Sequence, residues 1–341
     1  MEISAYGKRE GITIAGSLIQ DVYYQIQSYP QEGLLTNVLD CNLNIGGTGN
    51  IILDLAKLDA GLKVKVCAVI GNDDNGKNLL STLSNYKNIN TDNISIGNVT
   101  SCTIIMNAND TKQRTFFFVP GDSDVFDLKF IDFEKLNTKI FHLEYLLLMK
   151  KVDSFDEKFG THGARILYEA QKRGFITSID VVSEQSDRAK NIVSHALKYT
   201  DICCINEFEA QSVTGINLVK DNKLDKDNVC LALQELSNLG VNKWAIIHSP
   251  TESYGLDVEQ NKVIRVPSLK IPKDFIKGST GAGDAYCAGV LYGAHEEFSL
   301  EESMRLARAC SVCSLSQSNG TDGMRSYQET LKIEQQFSER E

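Results

Sequence analysis

Hydrophobic positions change rhythm several times along the chain, and each change marks a predicted element. ITIAGSLI (12–19) is a short apolar run bounded by glycine, which predicts a buried strand, and a polar-interrupted β-rich stretch follows to Asn44. From Asn50 the spacing lengthens. Ile51, Leu55 and Leu58 recur at i, i+4 and i+7 and the run closes on Gly61, predicting an amphipathic helix with a glycine stop. VKVCAVIG (64–71) reads as the next buried strand. Between Ser101 and Pro120, CTIIMN and RTFFFV flank NANDTKQ, whose Asn and Asp favour a turn. A hairpin is predicted there, and with strands from 20–45 it would make a small sheet apart from the main one.

From residue 139 strand and helix alternate: KIFHLEYLLL, THGARILYEAQKRG, FITSIDV, a helix near 187–199, DICCI, and the helix NEFEAQSVTG. Such alternation predicts a mostly parallel sheet covered on both faces. KWAIIH adds a strand, YGLDV and KVIRV a hairpin, and helices run from about 282 onward. Internal repeats, low-complexity segments and long linkers are absent from the sequence, so residues 1–341 read as a single domain.

Composition narrows the function. The formal net charge is −10, with acidic and basic residues interspersed. Nucleic acid as the main partner would need a basic stripe, and none is visible. The opening MEISAYGKREGITIAG has no apolar stretch of signal-peptide length, and YLLLM is far too short to span a bilayer. A cytoplasmic protein without a membrane partner is expected. Nine cysteines without regular spacing fit a reducing compartment. Cys310 and Cys313 read as packed thiols, Trp244 as core, and His162, His195 and His295 as structural or surface residues without metal spacing.

The candidate chemistry lies in KGSTGAGDAYCAG (277–289). Gly281-Ala282-Gly283 precedes a segment whose Ala285, Ala288, Gly289 and Tyr292 share one helical face, so the glycines sit at a helix N-terminus where free N–H groups attract an anion. A P-loop would follow its last glycine with Lys-Ser/Thr, but Asp284-Ala285 stands there. Asp284 either stabilises the helix dipole or takes a proton from a hydroxyl that attacks a phosphoryl group held by the neighbouring N–H groups.

GSTGAGDAYCAG resembles the C-terminal signature of the PfkB, or ribokinase-like, kinases, roughly D-T-T-G-A-G-D-x-F-x-x-G. Gly16-Ser17…Asp21, IGGTGN with Gly46, Gly47 and Asn50, HLE at 142–144 and DICCINEFEAQSVTG resemble further family segments in the same order, over about residues 10–330. The resemblance implies a three-layer αβα sandwich with a small β lid from parts of 18–45 and 100–120. It implies Asp284 as base, with Gly281, Ala282 and Gly283 as anion hole. Asp21, Gly46, Gly47, Asn50 and Glu144 would hold a sugar. ATP would lie along Asn206, His248, Thr280, Gly281 and Gly283, and Asn206 and Glu209 would organise Mg²⁺ through water. A homodimer through the lid is also implied.

Some positions depart from the pattern. Gly278 stands where the family has an Asp associated with a monovalent cation, which leaves K⁺ dependence open. HSPTESYG (248–255) replaces a glycine-bearing nucleotide loop, and Ile19 stands where many ribokinases carry a substrate-binding Asn. The first motif is one residue short. Besides a sugar kinase, a nucleoside kinase with an aromatic pocket near the lid (Tyr23, Tyr24, Phe116 to Phe118) and a non-catalytic sugar or nucleotide sensor fit these residues.

Overall fold

The computed structural model describes residues 9–111, 113–184, 187–220 and 223–340. In chain order its main strands are β1 (Ile12–Ala15), β2 (Leu18–Ile26), β3 (Val38–Gly47), β4 (Val64–Gly71), β5 (Ile89–Gly97), β6 (Cys102–Ala108), β7 (Arg114–Val119), β8 (Ile140–Leu146), β9 (Ile176–Val181), β10 (Ile202–Asn206), β11 (Trp244–His248), β12 (Glu252–Asp257) and β13 (Lys262–Pro267). The main helices are α1 (Thr48–Leu58), α2 (Asp74–Ser84), α3 (His162–Lys172), α4 (Ala189–Leu197), α5 (Glu207–Thr214), α6 (Lys226–Leu239), α7 (Ala282–His295), α8 (Leu300–Leu315) and α9 (Tyr327–Gln336).

Successive strand residues point to opposite faces, and in the central sheet both faces are apolar. Ile12 and Ile14, Val64 and Val66, and Trp244 and Ile246 join one core with α1, α2 and α7 to α9. Ala15, Cys67, Ala245 and Ile247 join the other with α3 to α6. The result is three layers, helix on sheet on helix.

The nine-stranded sheet runs β13-β12-β11-β10-β9-β8-β1-β4-β5. It is parallel except for the antiparallel β11–β12 and β12–β13 pairs. From β1 the chain builds outward through β4 and β5, then returns to lay β8 against the other side of β1. The direction of winding therefore reverses between β1 and β8. In open α/β sheets the crevice beyond the carboxyl ends of the strands at such a point is where ligands bind.

ITIAGSLI does not make one strand. It supplies the whole of β1 in the central sheet and the start of β2 in a separate four-stranded sheet, ordered β3-β2-β6-β7. The β6–β7 hairpin is present, but β2 and β6 pair in parallel, so this lid is mixed. Residues 122–135, between the lid and β8, fold into 3₁₀ turns.

Helix α7 is held close to α8 by its small residues. A Cβ on Gly289 would lie 2.5 Å from Ala307 Cα, and one on Gly293 2.3 Å from Ser303 Oγ. Ala288 and Gly289 serve this packing, which fixes the N-terminus of α7 at the switch point. Among the described residues no helix is long and apolar enough to cross a membrane. Cys310 and Cys313 are buried in α8, and Trp244 is buried in the core.

Candidate active site

The chain turns into α7 through Gly281, whose φ of 80° and ψ of −2° place it in the left-handed region. A side chain is doubly disfavoured there, because a Cβ would also lie 2.5 Å from Gly320 Cα. No side chain among the described residues caps α7; the Ala282 N–H donates to the Ser279 carbonyl at 3.4 Å, and the Gly283 and Asp284 N–H groups that follow are the candidate anion site.

Asp284 sits in that first turn. Its Oδ2 accepts from Asn50 Nδ2 at 2.7 Å and its Oδ1 accepts from the Tyr145 hydroxyl at 2.8 Å. Asn50 stands on the first turn of α1, directly after Gly46-Gly47, and Tyr145 stands near the end of β8 with φ 62°. The carboxylate thus lies at the switch point, gripped from both sides of it. Burial raises its pKa, and the Tyr145 and Asn50 hydrogen bonds pull back toward the ionised form.

Two cavities meet at this loop. A mostly apolar one of about 510 Å³ is lined by Val266, Leu269, Ile271 and Leu315, and reaches Ala282 and Gly283 past His248. A polar one of about 270 Å³ holds Tyr145, Asp180, Asn206, Glu209 and Asp284. A flat apolar group and a chain of anionic groups could therefore lie end to end, with the anionic end on the α7 N-terminus.

The pfkB family carbohydrate kinase model matches residues 10–326. The chain belongs to that family. Its structure is similar to Arabidopsis thaliana ribokinase complexed with ribose and ATP, with TM-score 0.76, 22% identity, and 96% of this chain and 99% of that chain covered. It is similar to the Methanocaldococcus jannaschii nucleoside kinase, with TM-score 0.72, 18% identity, and coverages of 97% and 99%. It is also similar to Escherichia coli phosphofructokinase-2 in complex with potassium, with TM-score 0.74, 19% identity, and coverages of 96% and 99%. These likenesses establish the ribokinase-like fold. No curated protein sequence matches significantly.

In this pfkB-family chain the lid brings Asp21 over the cleft. The side chain is 8% exposed, and burial, the leading cause, together with the Asp284 charge lifts its pKa to about 7 against a hydrogen bond with Thr103. A Cβ on Gly46 would lie 2.4 Å from Asp21 Cγ, and one on Gly47 2.1 Å from the Ser17 carbonyl oxygen. Gly46 is the clearance that lets Asp21 approach, and Gly47 lets the chain pass close to Ser17.

Glu144 is placed differently from the sequence expectation. It is fully buried behind Asp284, and neither carboxylate oxygen has a hydrogen-bond partner among the described residues. Burial, and then the charges of Asp180, Asp284 and Asp54, hold its pKa well above the usual carboxylate range. The physical reason is a break in the strand: Tyr145 has φ 62° and the β8–β9 register shifts beside it, so Tyr145 rather than Glu144 reaches Asp284. Glu144 does not open on the substrate cleft.

Asn206 forms a capping box with Glu209. Its Oδ1 accepts from Phe208 and Glu209 N–H, its Nδ2 donates to Glu209 Oε1 and Ser183 Oγ, and Glu209 Oε2 accepts from Asn206 N–H. What the motif presents to the polar cavity is therefore the Glu209 carboxylate, whose pKa burial lifts to about 7. The oxygen donors of Glu209 and Asp180 suit a hard cation such as Mg²⁺. His248 stacks on Tyr286 at 4.9 Å, and burial drives its pKa down to about 4, so it is a neutral wall of the apolar cavity. Thr280 lies on the lid side of the loop and accepts a hydrogen bond from Arg114.

Tyr145, Asp180 and Arg114 are site residues that motif reading does not single out. Asp180 and Tyr145 carry one usable signal, their position at the C-terminal ends of parallel strands. Tyr23, Phe116 and Phe118 share the inner lid face with Asp21, as the β2, β6 and β7 registers require, whereas Tyr24 and Phe117 lie on the outer face.

Proposed function

We propose that the protein transfers the γ-phosphoryl group of ATP to a hydroxyl of a sugar or sugar derivative. The supporting observation is the Asp284 carboxylate, held by Asn50 and Tyr145 in the same helical turn as the anion-binding N–H groups, where the two cavities meet. Each carboxylate oxygen keeps a further lone pair, so an acceptor hydroxyl can donate to Asp284 without displacing either partner.

On this reading the apolar cavity takes the adenosine, and the phosphates run along His248 and Thr280 to the backbone of Gly281, Ala282 and Gly283. Asp284 removes the acceptor proton as its oxygen attacks phosphorus, the bond from the γ-phosphorus to the bridging oxygen breaks, and ADP leaves. Asp21 and Asn50, with Gly46 and Gly47 beneath them, orient the acceptor. Mg²⁺, held near Asn206 by Glu209 and Asp180 through water, would neutralise phosphate charge.

The outer lid face supports a homodimer. Val22, Leu43, Ile104, Phe117 and Val119 share it by register, and Leu43, Phe117 and Val119 are 53%, 46% and 42% exposed. An apolar sheet face of this kind fits a second copy of itself.

A nucleoside acceptor is the second reading, favoured by the aromatic rings of Tyr23, Phe116 and Phe118 beside Asp21. The deciding experiment measures ADP release from MgATP across ribose, fructose, 2-keto-3-deoxygluconate, hexose phosphates and nucleosides, with wild type and Asp284→Asn. Turnover with one acceptor, falling ~10²–10⁴-fold in the variant, is the expected result for loss of a general base. Binding of ATP or a sugar without turnover of any acceptor would instead identify a sensor.

A further inference from the structure

The lid is joined to the phosphate loop by a charged side chain that the proposed chemistry does not use. Arg114 opens strand β7 on the inner lid face. Its Nη1 donates to Thr280 Oγ1 and its Nη2 donates to the Ser318 carbonyl at 3.2 Å. From strand β2 of the same sheet, two strands away, Tyr23 also bonds Thr280. The 317–320 segment packs against the turn in its own right, since a Cβ on Gly281 would meet Gly320 at 2.5 Å. One guanidinium thus spans the lid and both segments that shape the entry to α7.

Gly278 completes the arrangement. A Cβ there would lie 2.9 Å from the Ser318 carbonyl oxygen and 3.1 Å from Arg114 Nη2 and the Gln317 carbonyl oxygen. A larger side chain would push into the space the guanidinium and the two carbonyls share.

We propose that Arg114 is a positioning residue: a built-in cation that ties the lid to Thr280 and Ser318 and so holds the anion-binding turn in working shape, making lid closure and assembly of that turn one event. The turn then needs no dissolved monovalent cation. This rests on the kinase reading above.

The test compares wild type, Arg114→Ala and Arg114→Lys in potassium and in tetramethylammonium salts at equal ionic strength, with melting temperatures as a check on folding. Wild-type turnover is expected to be the same in both salts. In Arg114→Ala kcat should fall ~10²-fold, the scale of losing a preorganised donor at developing charge, with KM for ATP little changed. Millimolar guanidinium or potassium should restore part of it, and Arg114→Lys should lie between. Strong potassium activation of the wild type, or an Arg114→Ala variant near wild-type kcat, would overturn the proposal.

Amide hydrogen exchange across 279–284 keeps its failure separate from that of the kinase reading. If no acceptor turns over, the kinase reading fails and exchange alone decides the latch. Faster exchange confined to 279–284 and the lid in Arg114→Ala supports it, and unchanged exchange refutes it.

Discussion

Tyr145 and Asp284 show how one hydrogen bond can set a working pH. The phenol donates to the carboxylate at 2.8 Å and favours its ionised form against the burial that disfavours it. Tyr145→Phe removes that support, so the Asp284 pKa rises further. The acidic limb of the kcat/KM profile should move to higher pH, with activity recovered as pH increases. A pH profile of both proteins with one active acceptor checks this.

Asp21 has the opposite consequence for stability. Burial lifts its pKa from 3.8 to about 7, so the folded chain holds the proton more tightly than the unfolded chain. Stability is greatest with the group protonated and is lost as pH rises through that interval. At ~1.4 kcal/mol per unit, full ionisation costs the substrate-free protein about 4 kcal/mol. Asp21→Asn should melt higher than wild type at pH 8, by a clearly smaller margin at pH 5, and bind acceptor poorly. Thermal unfolding at the two pH values, with acceptor titration, tests the trade-off.

Among the elements, α5 depends on its first residues. Asn206 caps it and holds Glu209 at 2.6 Å and 2.8 Å. Asn206→Ala should lower stability by about 1–2 kcal/mol through the lost cap, and should raise the Mg²⁺ concentration needed for half-maximal rate because Glu209 Oε1 loses its Asn206 Nδ2 partner. Denaturant unfolding and a magnesium titration read the two effects separately. The start of α5 was legible in NEFEAQSVTG because that signal is local in the sequence, whereas its capping box is a finding of the structure. The α7 turn was legible in GAGD for the same reason. Glu144 was not, because a break in the β8–β9 pairing and the positive φ of Tyr145, which nothing in HLEYLLL announces, decide which of the two reaches Asp284. The break inside ITIAGSLI was equally hidden, since a buried run looks the same whether it stays in one sheet or crosses to another.

For the whole molecule, alternation of strand and helix was enough to anticipate three layers, but not the strand order or the parallel β2–β6 pair. Those are settled by contacts between distant segments, as is the meeting of Arg114 with Thr280. The outer lid face makes a prediction at this scale. Leu43→Lys with Phe117→Glu should shift the protein toward monomer in sedimentation, leaving the central sheet and its melting transition near wild type, because both residues lie outside the two cores.

The hydrogen bond from Asn50 to Asp284 joins residues 234 positions apart, and that from Tyr145 joins residues 139 apart. Each closes a long loop, a contact of the sort that forms late when a chain folds. On the kinase reading the proposed base is therefore incomplete in any partly assembled chain. On refolding, helical signal should return before turnover does, and on the same reading a nascent chain still lacking α7 would have no means of spending ATP.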